Sequence, residues 1–195
     1  ILLSARLTNS TLEHLIKRHP EHEVLRNIFA GNFFRTHLPP AVKDTPDGSN
    51  ILIFAPHQDD EIIGAGGTLI KSQVVGKQVD CVYVTDGSKN RLTDAKAAAL
   101  YETRKSEGEA VWSKLNQTKP TSLDLPCGDI KLDRESIQAV SACLEEKKPD
   151  VIFLPFFLEP PIDHQRTCVL VAKALEQYAD GGNIEIWSYQ VKSIS

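Results

Sequence analysis

One short stretch of this chain, residues 51–61, places a histidine and three acids directly after an apolar run. The run 51–54 is typical of a buried parallel strand, which needs apolar residues on both faces, so polar residues begin where the strand leaves the sheet. His57 begins that exit. Together with Asp60 it would offer one neutral nitrogen and one carboxylate oxygen, a mixture that suits zinc at catalytic sites. The spacing predicts a metal site at the end of this strand.

The neighbouring acids are expected to do different work. Two adjacent carboxylates cannot easily share one face of a metal ion, so Asp59 is available to handle the proton of water, whose pKa a bound cation lowers to roughly 7. Glu61 is predicted to open a helix, where its charge complements the positive end of the helix dipole. The alternative is a helix N-terminus that carries acids for that electrostatic reason alone and binds no metal.

A hydrolytic zinc site usually takes three protein ligands and water, so a third ligand is needed from farther along the chain. Of the five histidines other than His57, four lie in the polar segment before residue 40, which leaves His164. It follows a second apolar run, 150–155, and is therefore also expected at the carboxyl end of a strand. The alternative is an ordinary histidine at a helix start, with Asp163 as the N-cap. If Asp163 is not the N-cap, it is expected to orient a metal-binding histidine.

The elements that must position these residues alternate between strand and helix from residue 50 onward, which is the signature of a parallel sheet with right-handed crossovers. Strands are predicted at residues 51–55, 80–85, 122–125, 151–155 and 184–191. Helices are predicted between them, at residues 61–75, 93–116, 133–147 and 163–179. The predicted fold class is α/β, a Rossmann-like three-layer sandwich with a mostly parallel sheet.

Residues 1–49 differ in sequence pattern from the rest of the chain. They are predicted to form an N-terminal helical extension and linker, ahead of a main domain at residues 50–195. The motif Ser10-Thr11-Leu12-Glu13 has the spacing of a capping box, which predicts a helix start. A second amphipathic stretch covers residues 22–34. The segment 37–50 is rich in proline and turn residues, which is typical of a linker.

Four pieces of the sequence together resemble the LmbE/PIG-L family of zinc-dependent de-N-acetylases. They are Pro56-His57-Gln58-Asp59-Asp60-Glu61, Val84-Thr85-Asp86-Gly87, the helix with Arg104 and Glu107, and Asp163-His164. The pieces occur in the family's order, and the likeness runs from about residue 50 to 191.

This resemblance implies hydrolysis of the N-acetyl group of a small N-acetylglucosamine-containing substrate by water that zinc activates. It implies His57, Asp60 and His164 as Zn²⁺ ligands, a ligand set that also accommodates Fe(II). Asp59 is implied as the general base. Because family members often continue into further strands, a C-terminal piece of the domain is expected to be missing from this chain.

The chain departs from the family pattern at two positions. Gln58 stands where the family usually has proline, which is a mild departure. Pro161 stands where many members carry a histidine that helps to stabilise the oxyanion. Losing one oxyanion donor costs on the order of 100- to 1000-fold in rate where no other group replaces it. The resemblance therefore leaves the catalytic rate of this chain open.

Two residues are expected to contact the sugar. In the family an arginine of the Arg-x-x-Glu helix reaches sugar hydroxyls, which implies that role for Arg104. Its alternative is a surface ion pair with Glu107, one helical turn away. Asp129 follows a strand where members often place an acid near the sugar, although turn chemistry explains it equally well. Asp86 is likewise either a pocket acid or a turn former.

Bulk properties exclude several classes of partner. A net charge of −4 and an isoelectric point near 5.9 argue against binding of nucleic acid or anionic lipid. No apolar run approaches the ~18 residues that span a bilayer. The four cysteines are widely spaced and indicate ordinary buried thiols, which favours a reducing, cytoplasmic location. A leader removed before residue 1 is compatible with the sequence, and the oligomeric state is not indicated.

Two other function classes stay open. One is a weak or inactive sugar-binding member of the same fold, motivated by Pro161 and the early end of the chain. The other is a nucleotide-binding Rossmann enzyme such as an oxidoreductase. Gly64-Ala65-Gly66-Gly67 lacks the G-x-G-x-x-G spacing of a dinucleotide site and lies a turn inside the helix. Close packing of that helix on the sheet explains these glycines better.

Overall fold

The computed structural model describes residues 43–88, 94–115, 118–179 and 183–191, where strands and helices alternate. The strands are β1 (Asn50–Ala55), β2 (Gln78–Thr85), β3 (Thr121–Leu125), β4 (Val151–Pro155) and β5 (Glu185–Tyr189). The helices are α1 (Asp60–Val74), α2 (Asp94–Leu115), α3 (Arg134–Lys147) and α4 (Ile162–Leu175). Each strand and helix predicted for the main domain is present, and α4 ends earlier than predicted.

The strands form one parallel sheet in the order β3-β2-β1-β4-β5. The chain moves outward from β1 to β3 and then returns to the other side of β1 for β4 and β5. The direction of winding therefore reverses between β1 and β4. In open α/β sheets, ligands bind in the crevice at the carboxyl ends of such a pair of strands. This topology confirms the predicted Rossmann-like α/β class.

The two faces of the sheet carry separate apolar clusters, because alternate residues of β1 point in opposite directions. Ile51 and Ile53 belong to the first cluster, and Leu52 and Phe54 to the second. The first cluster adds Ala65 and Leu69 of α1 and Trp112 of α2, whereas the second adds Val140 and Leu144 of α3 and Leu170 and Val171 of α4. Helices on both faces of a central sheet give the predicted three layers.

A buried carboxylate joins the first helical layer to the sheet. Glu61, in the first turn of α1, is only 1% exposed. Its Oε1 accepts hydrogen bonds from Tyr83 Oη at 2.6 Å and from Trp112 Nε1 at 3.1 Å. Burial raises the pKa of Glu61. The expectation of a helix-dipole role is thus incomplete, since this acid also connects α1, β2 and α2.

The described residues from Asp44 onward belong to one compact unit. Lys77 Nζ reaches the carbonyl oxygens of Pro46 at 2.6 Å and Gly48 at 2.7 Å, which fixes the entry to β1. The predicted helices near residues 10–17 and 22–34 lie outside the described residues, and the domain boundary at residue 49 stays a prediction. Among the described helices, none is both long and apolar enough to cross a bilayer.

Gly64 provides a test of how α1 packs on the sheet. A Cβ added there would lie 2.3 Å from Tyr189 Cδ2. The Tyr189 ring is buried and its hydroxyl donates to the Phe54 carbonyl oxygen at 2.8 Å, so the ring cannot swing away. Gly64→Ala should therefore lower the free energy of unfolding by about 1–2 kcal/mol, because overpacking exceeds the gain in helix propensity.

Gly67→Ala is the matched control, since its Cβ would meet nothing within 4 Å. This second variant should raise the free energy of unfolding by about 0.5–1 kcal/mol. Urea unfolding of both variants measures the two effects. Equal shifts in the same direction would contradict the packing described for Gly64.

Candidate metal centre

Two histidines meet where β1 and β4 end side by side in the sheet. His57 lies in the loop between β1 and α1, and His164 lies in the first turn of α4. Their ring centroids are 5.6 Å apart. Because the strands are parallel neighbours, residues far apart in sequence arrive at one edge.

The Asp60 carboxylate lies between the two imidazoles. Its Oδ2 is 3.0 Å from His57 Nδ1 and 3.3 Å from His164 Nε2. The three ligand atoms all lie within 4.8 Å of one another. Ligand atoms about 2.0–2.2 Å from one tetrahedral ion are roughly 3.3–3.6 Å apart. The donor set, two nitrogens and one carboxylate oxygen, therefore fits a zinc-sized cation with small adjustments.

Each imidazole turns its other nitrogen toward a second carboxylate. His57 Nε2 is 3.1 Å from Asp163 Oδ2, and His164 Nδ1 contacts Glu159 Oε2. The backbone N–H of Gly128 donates to both Asp163 oxygens at 2.9 Å. Carboxylates in this position hold the tautomer and orientation of a metal-binding imidazole. The nitrogens that remain, His57 Nδ1 and His164 Nε2, face Asp60.

The electrostatics of the cluster favour positive charge at its centre. Burial opposes ionisation of Asp60, but hydrogen bonds from His164 and His57 outweigh it and lower the pKa of Asp60. Burial likewise opposes a charged His57, but its bonds to Asp163 and Asp60 prevail and raise the pKa of His57 to about 11. The pKa of His164 is raised against burial by Asp60 and Glu159. A bound cation would take the place of the protons that these rings otherwise hold.

The predicted ligands His57, Asp60 and His164 are thus brought together, and their role as ligands stays a proposal. Asp59, the predicted base, occupies the N-cap position of α1, but its side chain makes no capping hydrogen bond. Its carboxylate is exposed, whereas Asp60 and Glu61 are buried.

The structure places Asp163 behind His57 rather than at the helix cap. Pro161 is the N-cap of α4, so the alternative of Asp163 as the cap is not observed. Glu159, whose carboxylate contacts His164 Nδ1, was not predicted from the sequence. Its only signal there is its position five residues before His164, which is weak. In the structure, its complete burial and its contact with the imidazole identify it as a partner of His164.

Arg104, a predicted sugar contact, is half-buried on α2. Its Cδ lies 2.9 Å from the position that a Cβ on Gly87 would occupy, so its side chain passes the loop at the carboxyl end of β2. Within the described part of the chain, no ion pair joins Arg104 to Glu107. The sugar-binding role of Arg104 stays a prediction.

The other two acids near this edge have local partners. Asp129 is exposed, and its carboxylate pairs with Lys131 Nζ at 2.7 Å. Asp86 Oδ1 accepts hydrogen bonds from Ser88 N at 2.9 Å and Cys127 N at 3.2 Å. These contacts favour turn formation for Asp86, and sugar contact by Asp129 stays a prediction.

A comparison with protein families agrees with this geometry. A family model described as PIG-L, GlcNAc-PI de-N-acetylase, matches residues 52–175, which is more than half of the chain. The chain belongs to the PIG-L family. The matched range holds both histidines of the cluster, Asp60, and the two carboxylates behind the rings.

Solved structures also resemble this PIG-L family chain. The N,N'-diacetylchitobiose deacetylase from Pyrococcus horikoshii is 25% identical, with a TM-score of 0.61, over 82% of this chain and 58% of that one. The 4-carboxy-2-hydroxymuconate hydratase from Pseudomonas putida is 17% identical, with a TM-score of 0.59, over 70% of this chain and 61% of that one. A zinc-inhibited form of teicoplanin deacetylase is 15% identical, with a TM-score of 0.55, over 71% and 67%. The chain thus spans about three fifths of the length of the first two.

Glu159→Gln tests whether the outer carboxylate supports a metal site in this PIG-L family chain. The amide cannot accept the His164 N–H with the same strength, so affinity for Zn²⁺ should fall about 10- to 100-fold. Titration against a chromophoric chelator measures the affinity. Glu176→Gln, at the exposed C-cap of α4, is the control and should bind Zn²⁺ like the native chain. Equal affinity in Glu159→Gln would show that Glu159 has only a packing role.

Proposed function

We propose that this chain hydrolyses the N-acetyl group of an N-acetylglucosamine-containing substrate. His57, Asp60 and His164 would hold the divalent cation that the reaction needs, and we assign this cation as Zn²⁺. The observation that carries the proposal is the convergence of these three donors, with a carboxylate behind each imidazole. Membership of the PIG-L family and the likeness to a diacetylchitobiose deacetylase support the same reaction class.

A divalent cation in such a site polarises a carbonyl oxygen and lowers the pKa of water. The chain's own part in the reaction is proton transfer by Asp59. This residue takes a proton from the attacking water and later delivers it to the departing amine, so one carboxylate serves the base step and the acid step. The C–N bond of the amide breaks, and the products are acetate and a free amino sugar.

Asp59 suits this role better than its neighbours. Among the three consecutive acids, Asp60 is engaged with both imidazoles and Glu61 with Tyr83 and Trp112. Of these three acids, only Asp59 is exposed to solvent. A proton carrier must reach solvent and substrate, which a fully engaged buried carboxylate cannot do.

Pro161 motivates a second candidate function, a sugar-binding protein with weak or no turnover. The residue caps α4 through its backbone and offers neither a side-chain donor nor an N–H. An oxyanion donor at this position is therefore lacking. The sugar-binding candidate predicts that metal and sugar bind without release of acetate. The hydrolase predicts that they bind and that acetate is released.

Asp59→Asn tests the hydrolase directly. Loss of the proton carrier should reduce turnover by about 100- to 10,000-fold, because general acid–base catalysis contributes that much. The content of bound Zn²⁺ should not change. Acetate release from N-acetylglucosamine conjugates, together with metal analysis of the same samples, measures both quantities.

The matched control is Asp44→Asn, which breaks only an exposed ion pair with Lys71. Native turnover in Asp59→Asn would remove Asp59 from the mechanism. Metal binding without detectable acetate release from the native protein would instead favour the sugar-binding candidate.

Arg104→Ala tests the proposed sugar contact. A hydrogen bond to a charged donor contributes about 1.5–3 kcal/mol, so KM should rise roughly 10- to 100-fold while kcat changes little. Arg134→Ala, exposed at the start of α3, is the control and should leave KM unchanged. Steady-state kinetics over a range of substrate concentrations separates the two constants. An unchanged KM in Arg104→Ala would exclude the contact.

A further inference from the structure

A second cluster of metal-binding side chains lies on the other side of His57. The ligand atoms of His57, Cys127 and Asp163 all lie within 4.8 Å of one another. Asp163 Oδ2 is 3.1 Å from His57 Nε2 and 3.5 Å from Cys127 Sγ. The three residues come from the loop after β1, the loop after β3 and the first turn of α4. Three separate segments of the chain thus bring a nitrogen, a sulfur and an oxygen within reach of one cation.

This cluster differs in chemistry from the site proposed for catalysis. The two share His57, but each uses a different ring nitrogen, since Nδ1 faces Asp60 and Nε2 faces Asp163. Only the second cluster contains sulfur. Thiolate ligands select soft or borderline cations such as Zn²⁺ and Cd²⁺, whereas carboxylates and imidazoles alone discriminate less against harder ions.

The loop that carries Cys127 is held in place by hydrogen bonds at two successive residues. The Cys127 N–H donates to Asp86 Oδ1, and the Gly128 N–H donates to Asp163. Gly128 has a φ of 82°, a left-handed conformation that glycine adopts without strain and that turns the loop toward α4. Because Cys127 and His57 are only half-buried, an ion can reach their donor atoms from solvent.

We propose that His57, Cys127 and Asp163 form a second cation site that takes a thiophilic divalent ion. Binding of the ion displaces the protons of His57 Nε2 and Cys127 Sγ to solvent, so the N–H that otherwise points at Asp163 is lost. The carboxylate then binds the ion and no longer orients the imidazole for the site at Asp60. An excess of such an ion should therefore lower turnover. That last consequence rests on the proposed hydrolase function, whereas binding of the ion does not.

Titration of the metal-free protein with Cd²⁺, in the presence of a reductant without thiols, tests the site. A cadmium–thiolate bond gives a charge-transfer absorption in the ultraviolet, and the native chain should reach an amplitude equivalent to one thiolate. Cys127→Ser should lose this absorption. Cys168→Ser is the matched control, since Cys168 is also half-buried but contacts the Pro155 carbonyl oxygen, and should keep the full amplitude. Circular dichroism checks that both variants fold. If Cys127→Ser does not fold, Cys127→Ala replaces it.

A third variant separates this proposal from the catalytic one. His164→Asn removes a donor of the other site but retains a side-chain amide that can still bond to Glu159, so its cadmium–thiolate absorption should match that of the native chain. The proposal is overturned if the native chain shows no such absorption, if Cys127→Ser retains it, or if His164→Asn abolishes it. Absence of deacetylase activity would count against the proposed function and leave these absorption results unaffected.

Discussion

The site depends on one buried contact, the Asp60 carboxylate held between the imidazoles of His57 and His164. A buried carboxylate or a charged imidazole alone is costly, and each of these groups is tolerated because the others balance its charge. Removing one partner would leave a buried charge without compensation. The outer carboxylates of Asp163 and Glu159 extend the same balance, so the cluster favours a centre of positive charge.

The apolar sheet makes this contact possible. The strands β1 and β4 lie beside each other at the point where the winding reverses, and nearly all of their residues are buried on both faces. Such strands have little freedom to shift register, since a slip would move apolar side chains out of both clusters. His57 is therefore held two residues after the end of β1, and α4, which packs on the second apolar cluster through Leu170 and Val171, holds His164. The loop after β1 is further tied to the sheet by Gln58, whose Nε2 donates to the Thr85 carbonyl oxygen at 3.0 Å. This hydrogen bond constrains the loop at the position where the family usually has proline.

The sequence predicted the fold and the meeting of His57 with His164 because both follow from periodic patterns. Buried parallel strands have continuous apolar runs, and their carboxyl ends converge at one edge. The partners of the histidines could not be predicted in the same way. Glu159 and Cys127 lie in loops whose paths depend on tertiary contacts, and Glu61 meets its partners 22 and 51 residues away. Asp163 was recognised as an orienting carboxylate, but the sequence does not show that it serves His57 rather than its neighbour His164.

The central claim, one cation shared by His57, Asp60 and His164, is tested most directly by anomalous scattering at the zinc edge from a crystal grown with stoichiometric Zn²⁺. An anomalous peak is expected about 2.0–2.2 Å from His57 Nδ1, Asp60 Oδ2 and His164 Nε2. A fully occupied zinc peak elsewhere, with the two imidazoles still bonded to Asp60 and no peak between them, would contradict it.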